Sequence, residues 1–134
     1  MQLTLIIAIS LHVLSAVFWA GSSFVIARMG GAGAEKLFGP QMGAAAVAVL
    51  TGGYLWHELH EGSLGPMEQF LGVGVGCALL ALLVQAAVAG RAVARLRRQA
   101  DAEVSARSAL LMANRIAALL LAIATISMAG ARYA

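Results

Sequence analysis

"LTLIIAISLHVLSAVFWAGSSFVIA", residues 3–27, contains no Lys, Arg, Asp or Glu. A helix needs about 20 mostly apolar residues to cross the hydrocarbon core of a bilayer. The stretch is long enough, and its Ile, Val and Phe suit lipid. Three further runs have the same character: Leu37–His57, Gln69–Gly90, and Ser108–Ala131, the last interrupted by Arg115. The reading is an all-α integral membrane protein, an up-down-up-down four-helix bundle. Its helices span about 3–28, 40–60, 66–98 and 105–131, in one domain of residues 1–134.

Composition agrees. Of 134 residues, 61% are hydrophobic and 11% charged, where soluble domains carry roughly 25% charged residues. The mean hydropathy is +0.88. The first run has no basic leader before it, is too long for a signal-peptide core and has no clear cleavage site after it, so it is read as a retained helix. Cys77 is the only cysteine and is read as a small packing residue.

Charge sets the expected orientation. Glu58, Glu61 and Glu68 lie between the second and third runs, with no Lys or Arg. Arg91, Arg95, Arg97, Arg98 and Arg107 lie between the third and fourth, and Arg28 and Lys36 against Glu35 between the first and second. Basic loops stay cytoplasmic. Both termini and the acidic loop are therefore expected outside, in a multi-pass protein of the cytoplasmic (inner) membrane. The formal charge of +3 sits on the inner side and suits anionic lipid rather than nucleic acid. Arg91, Arg95 and Arg98 share one helical face and read as a solvated overhang. Pro40 and Pro66 are expected at first helical positions. Gly72 and Gly76 read as a small-xxx-small packing pair.

No hydrolase elbow, phosphate loop, zinc-protease motif or cysteine pair is present. The candidates for chemistry are polar groups inside the membrane, where ionisable side chains are costly. His12 lies about 10–15 Å below the outer face at 1.5 Å per residue. Ser15, Ala16, Trp19 and Ser23 share its face, a small and polar stripe that suits a bundle interior. A neutral imidazole there either ligates a metal or hydrogen-bonds a carbonyl. His57 and His60 end the second helix, beside Tyr54 and Trp56. They read either as an interfacial belt or as the source of an axial partner for His12 on a haem b. His57 is the deeper and is preferred, with Gly53 one turn beneath to admit the porphyrin edge. Arg132 and Tyr133, also at the outer end, would meet the haem propionates; otherwise they snorkel and anchor. Arg115 and Asn114 have no assigned role. Gln69 and Gln85 read as interhelical hydrogen-bonding groups. Met29, Met42, Met67, Met112 and Met128 are scattered and read as packing, though thioethers favour Cu(I).

"LHVLSAVFWAGSSF", Leu11–Phe24, resembles the first helix of two related membrane families, the copper-resistance D proteins and the HemJ-type protoporphyrinogen IX oxidases. The match falls on His12, Trp19 and Gly21. "ANRIAALLLAIATISMAGARY" is similar to their last helix, with Asn114 matching an Asn of the HemJ pattern; Arg115 and Ala117 stand where that pattern has Glu and Pro. The lysine of the HemJ third helix has no counterpart, and Gln69 is the nearest polar residue. The resemblance implies a four-helix haem b protein with His12 as a haem ligand.

The leading expectation is a small b-type cytochrome that binds haem b within the bundle for electron transfer. Its metal ligands would be His12 and His57, and Trp19, Gly53, His60, Arg132 and Tyr133 would line the site. The expected partners are the lipid bilayer, a quinone or redox protein, and a second copy of the chain. The rivals are a copper- or cation-handling protein, a HemJ-like oxidase, and a structural subunit.

Overall fold

A computed structural model describes residues 1–60, 62, 64–98 and 103–134. The described residues are all-helical, without strands. Their helices are α1 (Gln2–Arg28), α2 (Ala34–Leu59), α3 (Pro66–Val84), a π-helical turn (Gln85–Ala89), α4 (Gly90–Arg98) and α5 (Glu103–Ala131). The π turn joins α3 to α4, so Pro66–Arg98 is one long rod, and the described residues make four rods. Of the turn expected at "ADAEVS", residues 100–102 lie outside the described residues, as does Glu61, and the rest begins α5.

Three rods are long and apolar enough to cross a membrane: Gln2–Arg28, Pro66–Arg98 and Glu103–Ala131. The fourth, α2, is less apolar, because Gly and Ala replace large aliphatic side chains along it. Leu14, Leu119 and Ile126 are about 70% exposed. A chain this apolar on its outside would aggregate in water, and bilayer lipid is its natural solvent. Three membrane-length apolar helices make this a membrane protein.

Local sequence explains the helix ends. Gly30, Gly31 and Gly33 adopt positive φ between α1 and α2, a conformation that costs other residues a clash at Cβ. A Cβ on Gly31 would also meet the Arg107 carbonyl at 3.1 Å. At α3, Pro66 occupies the first turn and the Gly65 N–H donates to Glu68 Oε2 at 2.8 Å, which satisfies an end donor. α2 differs from expectation. It begins at Ala34, and Pro40 lies inside it rather than at its start; the glycine turn sets the beginning, and one missing N–H does not stop the helix.

α1 packs along α2, α3 packs along α5, and α1 against α5 joins the two pairs. The core is small. Near the basic end it holds Ile26, Val93, Leu110 and alanines; nearer mid-bundle it holds Trp19, Leu121 and alanines. Alanine dominates because thin side chains let rods approach closely. The closest glycine contact between α3 and α5 is at Gly74, where a Cβ would stand 2.9 Å from Met128 Cγ and 3.2 Å from the Ala124 carbonyl. Gly72 and Gly76, the pair expected to pack, have nothing within 4 Å of that position. The pairing face of α3 thus runs through Gly74, half a turn from theirs. Cys77 is half-buried and free.

At the basic end Glu35 accepts from Arg107 Nη1 at 2.6 Å, clamping the start of α2 to α5. Arg107 also donates to the Gly31 carbonyl at 3.3 Å. The guanidinium holds the Glu35 carboxyl below the ordinary carboxylate range.

This packing has two testable outcomes. Gly74→Val should destabilise the protein by about 1–3 kcal/mol through overpacking, read as a lower melting temperature in detergent, whereas Gly76→Val should leave it nearly unchanged. Because Glu35 titrates lower when folded than when unfolded, its contribution is present above the unfolded value and is lost as pH falls through the folded one. The pair is partly exposed, so Arg107→Ala should cost under about 1 kcal/mol and should flatten the melting temperature's fall between about pH 5 and pH 3.

Candidate functional site

α2 and α3 barely touch. Between the two helix pairs a cavity of about 890 Å³ opens, running from His12 and Trp19 to His60, Met67 and Arg132 at the end opposite the basic loops. Cavities of about 300–1,000 Å³ with mostly apolar walls and a few convergent polar groups are the usual form of a cofactor site. The polar groups on this wall include two imidazoles, two indoles and one guanidinium.

His12 projects from α1 onto α2. Its Nδ1 lies 2.8 Å from the Ala48 carbonyl oxygen and 3.2 Å from Thr51 Oγ1. A carbonyl only accepts, so Nδ1 carries the ring proton. In the neutral ring Nε2 then carries the free lone pair, and His12 is among the residues that line the cavity. Gly52 makes the contact possible: a Cβ there would stand 3.0 Å from His12 Cε1. Thr51 donates to the Val47 carbonyl at 2.6 Å, which fixes the hydroxyl beside the ring.

His60 repeats the pattern. Its Nδ1 lies 3.3 Å from the Trp56 carbonyl, and its ring stacks on Trp56 with centroids 4.8 Å apart and planes 21° apart. Its Nε2 is buried without a hydrogen-bond partner among the described residues. A buried polar atom left unpaired costs on the order of 1–3 kcal/mol, so this nitrogen is a position where a ligand or metal bond would be favourable. The two anchoring carbonyls are eight residues apart on α2, about 12 Å along its axis, and the imidazoles enter the cavity at different depths.

Of the residues singled out from sequence, His12, Trp19, Gly53, His60 and Arg132 line the cavity. His57 does not; it is exposed. The helical turn explains this. Gly52 marks the side of α2 that faces His12, and His57 lies five residues on, about 140° around the helix. His60 lies eight residues on, about 80° around, and remains on the cavity side. Tyr133 is 85% exposed and does not line the cavity; Arg132 stands over its ring at 5.6 Å. Gly53 faces open space, and the glycine in close contact is Gly52. Met67 and Met128 reach the cavity, whereas Met29, Met42 and Met112 do not. Gln69, Arg115 and Gly21 are exposed. Among the described residues no cluster of three His, Cys, Asp or Glu side chains is placed to bind a metal ion.

Sequence reading missed the support beneath Trp19. Its indole donates to Gln85 Oε1. The Gln85 amide donates to Ser23 Oγ at 2.9 Å and Asn114 Oδ1 at 3.2 Å. Gln41 donates to Ser23 and to Asn114, both at 3.3 Å. Asn114 returns a bond to the Leu110 carbonyl at 2.9 Å. Ser23, Gln41, Gln85 and Asn114 are at most 2% exposed and come from four different rods. Interhelical bonding was legible for Gln85 alone.

Comparison with models of known families, with curated proteins and with solved structures finds no match.

Gly52→Val should push the imidazole off its carbonyl while leaving the helices intact. Expected is an unchanged far-ultraviolet circular dichroism spectrum together with a shifted histidine side-chain NMR resonance; an unmoved His12 resonance would contradict the close contact.

Proposed function

We propose that this protein is a small membrane b-type cytochrome that holds haem b in the cavity between its helix pairs. One observation carries the reading: the His12 Nδ1–H is tied to the Ala48 carbonyl, which leaves Nε2 of the neutral ring as the atom free to bind, and His12 lines an apolar cavity of about 890 Å³. Metal-ligating histidines characteristically donate their other ring N–H to a carbonyl or carboxylate, which fixes the tautomer and orients the ring.

The residues present fit the group. His60 lines the same cavity and has an unpaired buried nitrogen, and it replaces His57 as the proposed second ligand; because its anchor lies about 12 Å along α2 from that of His12, its ring would have to leave the Trp56 carbonyl to meet the same iron. Gly53 and Gly72 line the cavity with nothing within 4 Å of where a Cβ would stand, which leaves flat space beside the rings. Trp19 closes the inner end and Arg132 stands at the outer end, where a guanidinium suits carboxylates. Bound haem would supply one-electron chemistry, and two imidazole ligands would leave the iron without an open position. The chain's own part is to orient two imidazoles, exclude water with alanine-rich walls and fix the macrocycle's direction.

The resemblance to the copper-resistance D and HemJ-type families at His12, Trp19 and Gly21 supports the same reading. Electron transfer, which a pair of imidazole ligands suits, is preferred to the porphyrinogen oxidation that the resemblance brings, since no lysine lies in the third rod. In the proposed orientation the basic end faces the cytoplasm of an inner-membrane protein and the cavity opens toward the outer leaflet. A quinone or a redox protein would be the electron partner, and the exposed apolar faces of α1 and α5 suit lipid or a second copy of the chain. A copper-handling role is the second reading, favoured by Met67, Met128 and His60 lining one cavity.

Haem content per protein, measured on protein purified from haem-replete membranes, tests the proposal. Wild type and His57→Ala should carry equal haem. His12→Ala should lose it, and His60→Ala should lose it or show an altered Soret band. A colourless, folded wild type that binds Cu(I) would favour the second reading and overturn the first.

A further inference from the structure

The most completely buried polar feature of the chain lies beneath the cavity, and the proposed ligands do not use it. Trp19, Ser23, Gln41, Gln85 and Asn114 form one network that draws on every rod of the bundle. Burying neutral amides in an apolar interior is costly unless each is satisfied, and a satisfied network fixes a unique arrangement. The bond directions here are determined. The indole Nε1–H only donates, so Gln85 must present Oε1 to it. That choice turns the Gln85 amide nitrogen toward Ser23 Oγ and Asn114 Oδ1, both acceptors. Ser23 donates its own proton to the Trp19 carbonyl at 2.8 Å, so its oxygen is free to accept. Asn114 is oriented in turn by its bond to the Leu110 carbonyl.

The backbone is irregular at this place. Gln85 opens the π turn Gln85–Ala89. A π turn inserts one residue into a helix and rotates the residues beyond it, and such turns occur frequently at functional sites. With the turn present, Gln85 and Ala89 are both buried, and α4 continues with Ala92 and Val93 inward. Trp19 has one polar side-chain atom, and Gln85, four residues after buried Ala81 on the inward face of α3, supplies the acceptor for it. The same indole lines the cavity two helical turns from His12.

We infer that Gln85 is a positioning residue for Trp19: its bond holds the indole as a fixed inner wall of the cavity, against which a flat apolar ligand seats. The binding consequence rests on the haem reading; the positioning itself does not. Gln41 provides the contrast, since it belongs to the network and to α2 but makes no bond to Trp19.

The test uses ligand-free full-length protein in detergent micelles with ¹⁵N-labelled indoles, followed by titration with hemin. In wild type the Trp19 indole N–H should show the downfield proton shift of a strong hydrogen bond, assigned by its absence in Trp19→Phe. Gln85→Met should move that resonance upfield and weaken hemin binding about tenfold, the equivalent of one lost hydrogen bond. Gln85→Glu, whose buried protonated carboxyl retains the acceptor, should restore both. Gln41→Leu should leave both near wild type, whatever it does to thermal stability. If Gln41→Leu and Gln85→Met act alike, the network is merely structural and the inference is overturned. An indole resonance indifferent to Gln85→Met also overturns it. Failure of the wild type to bind hemin, with the indole shifts behaving as described, would remove the haem reading while the positioning of Trp19 stands.

Discussion

The hydrogen bond from His12 Nδ1–H to the Ala48 carbonyl is the constraint on which the rest depends. It crosses from α1 to α2 at 2.8 Å and requires a residue without a side chain at Gly52. Each part of that contact has a consequence. The carbonyl places the ring proton on Nδ1, Nε2 of the neutral ring is then the free nitrogen, and the missing side chain lets the ring approach α2 closely. The α1–α2 pair is thereby locked on one side, and the gap toward α3 becomes a cavity instead of a packed seam. A second imidazole at the far end of the same wall lies 3.3 Å from the Trp56 carbonyl, and its Nε2 has no partner among the described residues.

The support is layered along the bundle. At the basic end, an ion pair and a glycine turn clamp α2 to α5. Above them, an alanine-rich apolar core seals the interior. Next comes the amide network around the π turn, and on it rests Trp19. Polar groups appear inside only where each finds a partner, with His60 Nε2 the exception among the described residues. That ordering places the tightest packing at one end and the open volume at the other, an arrangement suited to a site loaded from the end opposite the basic loops.

The helices were legible because membrane-length apolar runs are a strong signal that needs no tertiary information. Pro40 misled the reading of α2's start, since the positive-φ glycines before it govern where the chain turns into a helix. The site was legible in part. His12, Trp19 and His60 stand out as polar or aromatic groups in apolar surroundings. The choice of His57 over His60 rested on depth, whereas angular position decides which group meets the cavity, and depth along a helix carries no angular information. Phase relative to Gly52 would have favoured His60, but the role of Gly52 is visible only once α1 lies against it. Gln41, Gln85 and Asn114 are 44 and 29 positions apart in sequence, and no local pattern links them. The π turn that begins at Gln85 has no signature in the residues Gln85–Ala89.

Electron paramagnetic resonance of the oxidised, purified protein tests the central claim most directly, because it reports the ligands of the iron itself. The account predicts a low-spin ferric signal of the bis-imidazole type. A folded protein with no iron signal, or with a high-spin signal that is unchanged in His12→Ala, would contradict it.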